Sequence, residues 1–223
     1  PGLGEALLNH RAIHKIGERW SDKSDIVHDG AMPEEHDGVT EIAEQLGLAG
    51  ERAALWDLYC DYRDLPRPAL AQCRIGLPLV RDDGGVLGEL RLALMPKGTG
   101  QLYRAHSLAF VKIEPDFANA ATTALATLAG MGRTLPENQD LRWEVRIRAT
   151  GAVPPALTGP SCGGAFALGM WVLLAGERTD LRTGVLGPLR SEELSGIAIT
   201  ARVDRQGKLG PIGGEMLKLQ AAA

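Results

Sequence analysis

The sequence predicts an α+β protein, and three observations carry that expectation. Apolar residues recur at helical spacing through residue 62, and the period changes to two in several segments from Cys73 onward. Two later runs, residues 115–131 and 165–175, are apolar, rich in Ala and Leu, and return to helical character. At 223 residues the chain has room for one domain or one and a half, taking roughly 100–200 residues per domain.

Leu7, Leu8, Ile13, Ile16 and Trp20 share helical spacing, and residues 41–48 and 51–62 repeat the pattern, so residues 1–67 are expected to form a small all-α module. Residues 21–37, rich in Ser, Asp, Glu and His, read as an acidic, solvated loop. Residues 1–64 hold 14 acidic and 6 basic side chains, a net of −8 against +4 for the remainder. That shift coincides with Leu65-Pro66-Arg67-Pro68, where two prolines stop a helix, and the division is placed near residue 67.

Beyond it, residues 73–80, 86–95 and 102–113 alternate like strands, with Asp82-Asp83-Gly84-Gly85 as a hairpin turn. Pro115 opens a helix that ends near Met131. Leu141, Trp143, Val145 and Ile147 alternate with Arg142, Glu144, Arg146 and Arg148, a strand with one charged, partly wet face. After a Pro154-Pro155 loop come the apolar helix 165–175, a polar stretch 176–194, a strand at 196–203, a turn at 204–207 and a last helix from Glu215.

Composition excludes several classes of function. Hydrophobic residues at 44% and charged residues at 23% fit an ordinary globular protein, not a disordered or fibrous one. The longest nearly uncharged apolar run, 165–176, is far short of the roughly 20 residues a membrane-spanning helix needs, so no membrane partner is expected. No basic segment leads into an apolar one at the N-terminus, which makes a cytoplasmic location the expectation. Cys60, Cys73 and Cys162 form no CxxC pair, against a disulfide framework or structural zinc. With a net charge of −4 and aromatic residues not interleaved with basic clusters, nucleic acid is not expected as a partner.

The chemistry gathers late in the chain. Gly159-Pro160-Ser161-Cys162-Gly163 fits G-x-S-x-G, which projects a serine hydroxyl from a sharp turn before a helix; a plain helix-capping serine fits the same five residues. The α/β-hydrolase order is excluded, because its histidine follows the serine and here His10, His14, His28, His36 and His106 all precede it. A serine without histidine needs another base, and a lysine neutralised by burial can serve. Of the two lysines after Ser161, Lys208 lies in a polar turn, whereas Lys218 lies among Ile212, Met216, Leu217 and Leu219 and is the better base. The plain alternative for Lys218 is a lysine snorkelling from an amphipathic helix.

Three other motifs lead nowhere. Gly207-Lys208 is no P-loop, since Leu209 stands where Ser or Thr must ligate magnesium. His10 and His14 share a helical face, but without a Glu between them they read as a solvated or packing pair. Cys162 reads as a small buried residue and not as a nucleophile.

The residues Gly-Pro-Ser-Cys-Gly-Gly-Ala-Phe-Ala-Leu resemble the nucleophile motif of the Lon protease family. The segments Gly196-Ile-Ala-Ile-Thr-Ala-Arg-Val, Gly207-Lys-Leu-Gly-Pro-Ile-Gly-Gly and Lys218-Leu-Gln-Ala-Ala resemble its second signature. The resemblance covers roughly residue 70 to the end and implies a Lon-like proteolytic domain at 68–223, without the ATPase module. It implies Ser161 as catalytic serine, Lys218 as catalytic lysine and Thr200 as the threonine that hydrogen-bonds the lysine, with Gly159, Pro160 and Cys162 supporting the turn. It departs from the family pattern at Thr158, where an acidic residue is usual, and at Met216 and Leu217, where a charged pair is common.

The Ser161–Lys218 separation of 57 positions is longer than usual, and the extra length falls in 176–194, a lid or a surface loop. The chain ends five residues after Lys218, where the family's domain continues, which implies a truncation or a shortened branch. The expectation is an ATP-independent serine endopeptidase that acts on unfolded or flexible polypeptide, with no metal or cofactor. By resemblance it forms a homo-oligomeric ring and works beside a separate ATPase or regulatory partner. The alternative is a Lon-like ring-forming scaffold or regulatory domain with little proteolysis.

Overall fold

The structure, a computed structural model, describes residues 69–81, 84–96, 98–175 and 193–223. The expected all-α module, the boundary near residue 67, Asp82-Asp83 and residues 176–192 of the insertion lie outside the described residues, as do Cys60 and the His10/His14 pair. What is described is mixed α+β. In chain order it comprises β1 (Ala71–Arg81), β2 (Gly84–Pro96), β3 (Leu102–Arg104), β4 (Lys112–Ile113), α1 (Pro115–Gly130), β5 (Gln139–Ile147), β6 (Ala156–Leu157), α2 (Gly163–Leu174), β7 (Arg202–Val203), β8 (Leu209–Gly210) and α3 (Glu215–Ala222). Short 3-10 turns occupy His106–Leu108 and Glu193–Gly196. The main sheet runs β1-β2-β5-β3, and β4/β6 and β7/β8 form two small ladders. No helix among the described residues is long and apolar enough to cross a membrane.

The described residues fall into two compact units, with β2 and β5 contributing to both. The smaller takes in Leu94–Phe110 and Pro136–Arg142. Its organising side chain is Asp140, fully buried, whose Oδ1 accepts the backbone N–H of Thr99 at 2.8 Å and of Gln101 at 2.9 Å. A carboxylate that receives two amide donors ties down a turn that has few ladder bonds of its own. The single strand expected at 102–113 is broken. Tyr103 and Ala105 are buried at period two, but the next buried residue is Leu108, three positions on, and the chain turns through 3-10 geometry before β4.

The larger unit holds the rest. In β1 Cys73, Ile75 and Leu77 are buried at every second position, with exposed Arg74 and a buried Gly76 between them, and in β5 Trp143, Val145 and Ile147 are buried while Glu144 and Arg146 pair on the wetter face. Phe117 of α1, Trp143 of β5 and Phe166 of α2 meet at centroid distances of 5.5–6.0 Å, two of the three pairs edge-to-face. Such pairs add about 0.5–1.5 kcal/mol each beyond their buried area. Gly169 lets α2 approach the sheet, since a Cβ there would lie 2.5 Å from Leu92 Cδ1.

The strand expected at 196–203 also shortens, to the two residues of β7. Its backbone is extended, but its bonds are divided. Gly76 of β1 donates to Ile197 O and accepts from Ile199 N–H, while Ala201 donates to Ser161 O and accepts from Gly164 N–H at 2.8 Å each. One segment thereby connects the sheet edge to the turn ahead of α2.

Candidate active site

The turn at 158–162 is held from three sides. β6 pairs parallel with β4, Ile113 opposite Leu157, and Glu114 N–H donates to Leu157 O at 2.9 Å, which anchors the entrance. Gly159 takes φ +73°, a left-handed conformation costly for other residues, and Gly163 N–H closes the turn on Pro160 O at 3.2 Å. Ala201 fixes the far side through Ser161 O and Gly164 N–H. That contact depends on glycine: a Cβ on Gly164 would lie 2.8 Å from Ala201 Cβ, and one on Gly163 would lie 3.0 Å from Val203 N. Ser161 therefore sits half-buried on a fixed backbone just before the first turn of α2.

Lys218 reaches it from α3. Gly214, at φ +67°, turns the chain into that helix, and the helix backbone rests on β2 where Gly85 has no Cβ to collide with Leu217 O. Lys218 is the one buried residue of α3, 7% exposed, and its Nζ donates to Ser161 Oγ at 2.9 Å. Burial holds its pKa below the ordinary lysine value, with Cys162 and Glu215 opposing to a smaller extent.

Of the four apolar residues expected around it, Ile212 shares the cavity wall with it, but the other three do not cover it. Met216, Leu217 and Leu219 are 70%, 38% and 65% exposed, because residues adjacent to Lys218 on a helix necessarily face other directions. Desolvation comes from β1 and the rest of the cavity wall.

Thr200 also differs from its expected role. Its hydroxyl donates to Ser161 O at 3.5 Å and makes no bond to Lys218 Nζ among the described residues. Thr200 shares its segment with Ala201, whose N–H bonds the same carbonyl, so both groups brace the serine's backbone. Cys162 is fully buried, and its Sγ lies 3.9 Å from Phe117 O and from Gly159 O. Burial pushes its thiol up to about 12, so it is inert as a nucleophile at neutral pH. Lys208 is exposed in the β7–β8 turn, where Asp204 Oδ1 accepts the N–H groups of Gln206 and Lys208.

Ser161, Lys218, Thr158, Gly159 and Pro160 share the wall of one cavity of about 800 Å³. Gly163 and Gly164 N–H are already bonded, whereas that of Ser161, on the cavity wall, has no acceptor among the described residues and lies at the positive end of α2. The arrangement can activate a hydroxyl, hold a carbonyl carbon against it, and receive the resulting oxyanion on a backbone donor. Arg81 and Arg202, which no sequence motif singles out as functional, line the same cavity; Arg202 lies within the segment 196–203, but nothing in its spacing tells which way it faces. Among the described residues no group of three or more His, Cys, Asp or Glu is placed to hold a metal. No family model matches the chain, and no curated protein matches it.

Proposed function

We propose that the chain is a serine endopeptidase of the Lon-like kind, with Ser161 as nucleophile and Lys218 as general base. The observation that carries this is the 2.9 Å contact between two side chains 57 positions apart, a hydroxyl at a cavity wall and a buried amine. In the neutral state the contact reverses, and the hydroxyl donates to the amine's lone pair. As Oγ attacks the peptide carbonyl, Nζ accepts its proton, and the Ser161 N–H at the N-terminal end of α2 receives the oxyanion. Lys218 then returns the proton to the leaving amine, leaving an acyl-Ser161 ester. Water, deprotonated by the same amine, hydrolyses the ester and restores the hydroxyl.

Because nucleophile and base act as a unit, Ser161→Ala and Lys218→Ala are each expected to lower cleavage of an unfolded, casein-like protein by about a thousandfold or more. Near wild-type turnover in either variant would overturn the assignment. A second reading, a ring-forming scaffold or regulatory domain, draws on Leu209, Met216 and Leu219, which are 65–70% exposed. Large apolar side chains on a surface commonly mark contact with another chain. Assembly without any Ser161-dependent cleavage would favour that reading.

A further inference from the structure

Among the described residues, the walls of the cavity are one-sided in charge. Arg81, Arg202 and Lys218 are its ionisable lining residues, and no Asp, Glu or His joins them among the described residues, in a chain with 28 acidic and 24 basic side chains. Most of the remaining wall is apolar, including Val80, Ile147 and Ile212. Glu215 lies one turn before Lys218 and is exposed, but it does not line the cavity. Since the working form of Lys218 is neutral, the lasting positive charge is that of the arginines, of which Arg81 already has a partner.

Arg202 is the better placed of the two to read a substrate. The residue before it, Ala201, is bonded to Ser161 O and Gly164 N–H, so Arg202 is held one residue from the backbone that carries the nucleophile. Val203, its neighbour in β7, is buried, and alternation along the strand turns Arg202 outward. Its guanidinium has no hydrogen bond or ion pair among the described residues.

We propose that Arg202 makes this a protease for acidic segments: an Asp or Glu side chain close to the cleaved bond pairs with its guanidinium while apolar neighbours occupy the rest of the cavity. The proposal rests on the Ser161–Lys218 peptidase reading and adds the substrate class to it.

The test is a set of fluorogenic peptides, identical except for Glu, Gln or Lys at each position within three residues of the cleaved bond. They are assayed with the full chain and with Arg202→Gln, Arg202→Lys and Arg202→Glu. At one position the wild type is expected to prefer Glu over Lys by about tenfold in kcat/KM, attraction and repulsion each contributing as a partly exposed ion pair does. The difference should lie mainly in KM and shrink as salt is raised. Arg202→Lys should retain the preference, Arg202→Gln should abolish it, and Arg202→Glu should reverse it.

Equal rates for Glu and Lys at every position would overturn the proposal, as would a preference that survives Arg202→Glu. The same peptides titrated onto Ser161→Ala by fluorescence anisotropy separate it from the peptidase reading. If no peptide is cut yet acidic ones bind more tightly, in step with the charge at position 202, the substrate class stands and the catalysis falls. Charge-independent binding, or none, overturns the proposal.

Discussion

Lys218 sets stability against function at a single residue. Burial lowers its pKa in the folded chain, while the unfolded chain keeps a lysine near the ordinary value of about 10.4. Between those two values the unfolded state binds more protons, so stability rises with pH across that window. Peptide cleavage should rise with the same titration, because only the neutral amine can take the proton from Ser161. Lys218→Met is accordingly expected to abolish cleavage yet raise the urea midpoint at pH 7, with the gain shrinking toward pH 10. A lower midpoint at pH 7 would contradict the account.

Thr200→Val probes the brace on the other partner. Loss of one long hydrogen bond, worth about 0.5–1.5 kcal/mol, should reduce kcat by no more than about tenfold and leave the pH profile in place. A displaced profile would mean that Thr200 acts on the amine and not on the serine's backbone. Ser161 and Lys218 were both legible as candidates, because the G-x-S-x-G turn and the absence of a later histidine leave little else. What buries Lys218 was not legible: its sequence neighbours Met216 and Leu219 face outward, and β1, whose residues share the cavity wall with it, lies more than a hundred positions earlier.

At the scale of elements, the site is a joint between the start of α2 and the segment 197–203. Gly164→Ala places a methyl group 2.8 Å from Ala201 Cβ, where backbone on both sides must move. Overpacking of this kind costs about 1–3 kcal/mol. Since the displaced backbone carries Ser161, kcat should fall more than stability alone explains, as measured by urea unfolding and peptide cleavage on the same preparation. Phe166→Ala, which opens the aromatic cluster behind α2, should cost about 3–5 kcal/mol. The long elements were readable: β1, β2 and β5 alternate long enough for period two to register, and α1 and α2 show in their apolar, Ala- and Leu-rich composition, with Pro115 opening the first. The short ones were not. Residues 102–113 and 196–203 alternate in hydrophobicity, but their backbone bonds go to a 3-10 turn, to Gly76 and to the serine turn, and no local pattern encodes those partners.

For the whole molecule, the proposed cleavage requires an extended chain to enter the cavity. The sequence contains no P-loop, so cleavage by this chain alone should be confined to unfolded or flexible substrates and be indifferent to ATP. ATP-stimulated degradation of a tightly folded substrate would contradict that. The proposed substrate preference is not legible in the sequence: net charge is −4 over 223 residues, and only folding gathers Arg81, Arg202 and Lys218 onto one wall. The central claim is that Ser161 is acylated with Lys218 as its base. The most direct test is mass spectrometry of the full chain mixed with an activated ester substrate, with the adduct located by peptide mapping across a range of pH. One acyl group should appear on Ser161, at a rate that rises with pH as Lys218 loses its proton, and be absent from Ser161→Ala and Lys218→Met. Equal acylation of Lys218→Met, or an adduct on a residue other than Ser161, would contradict the claim.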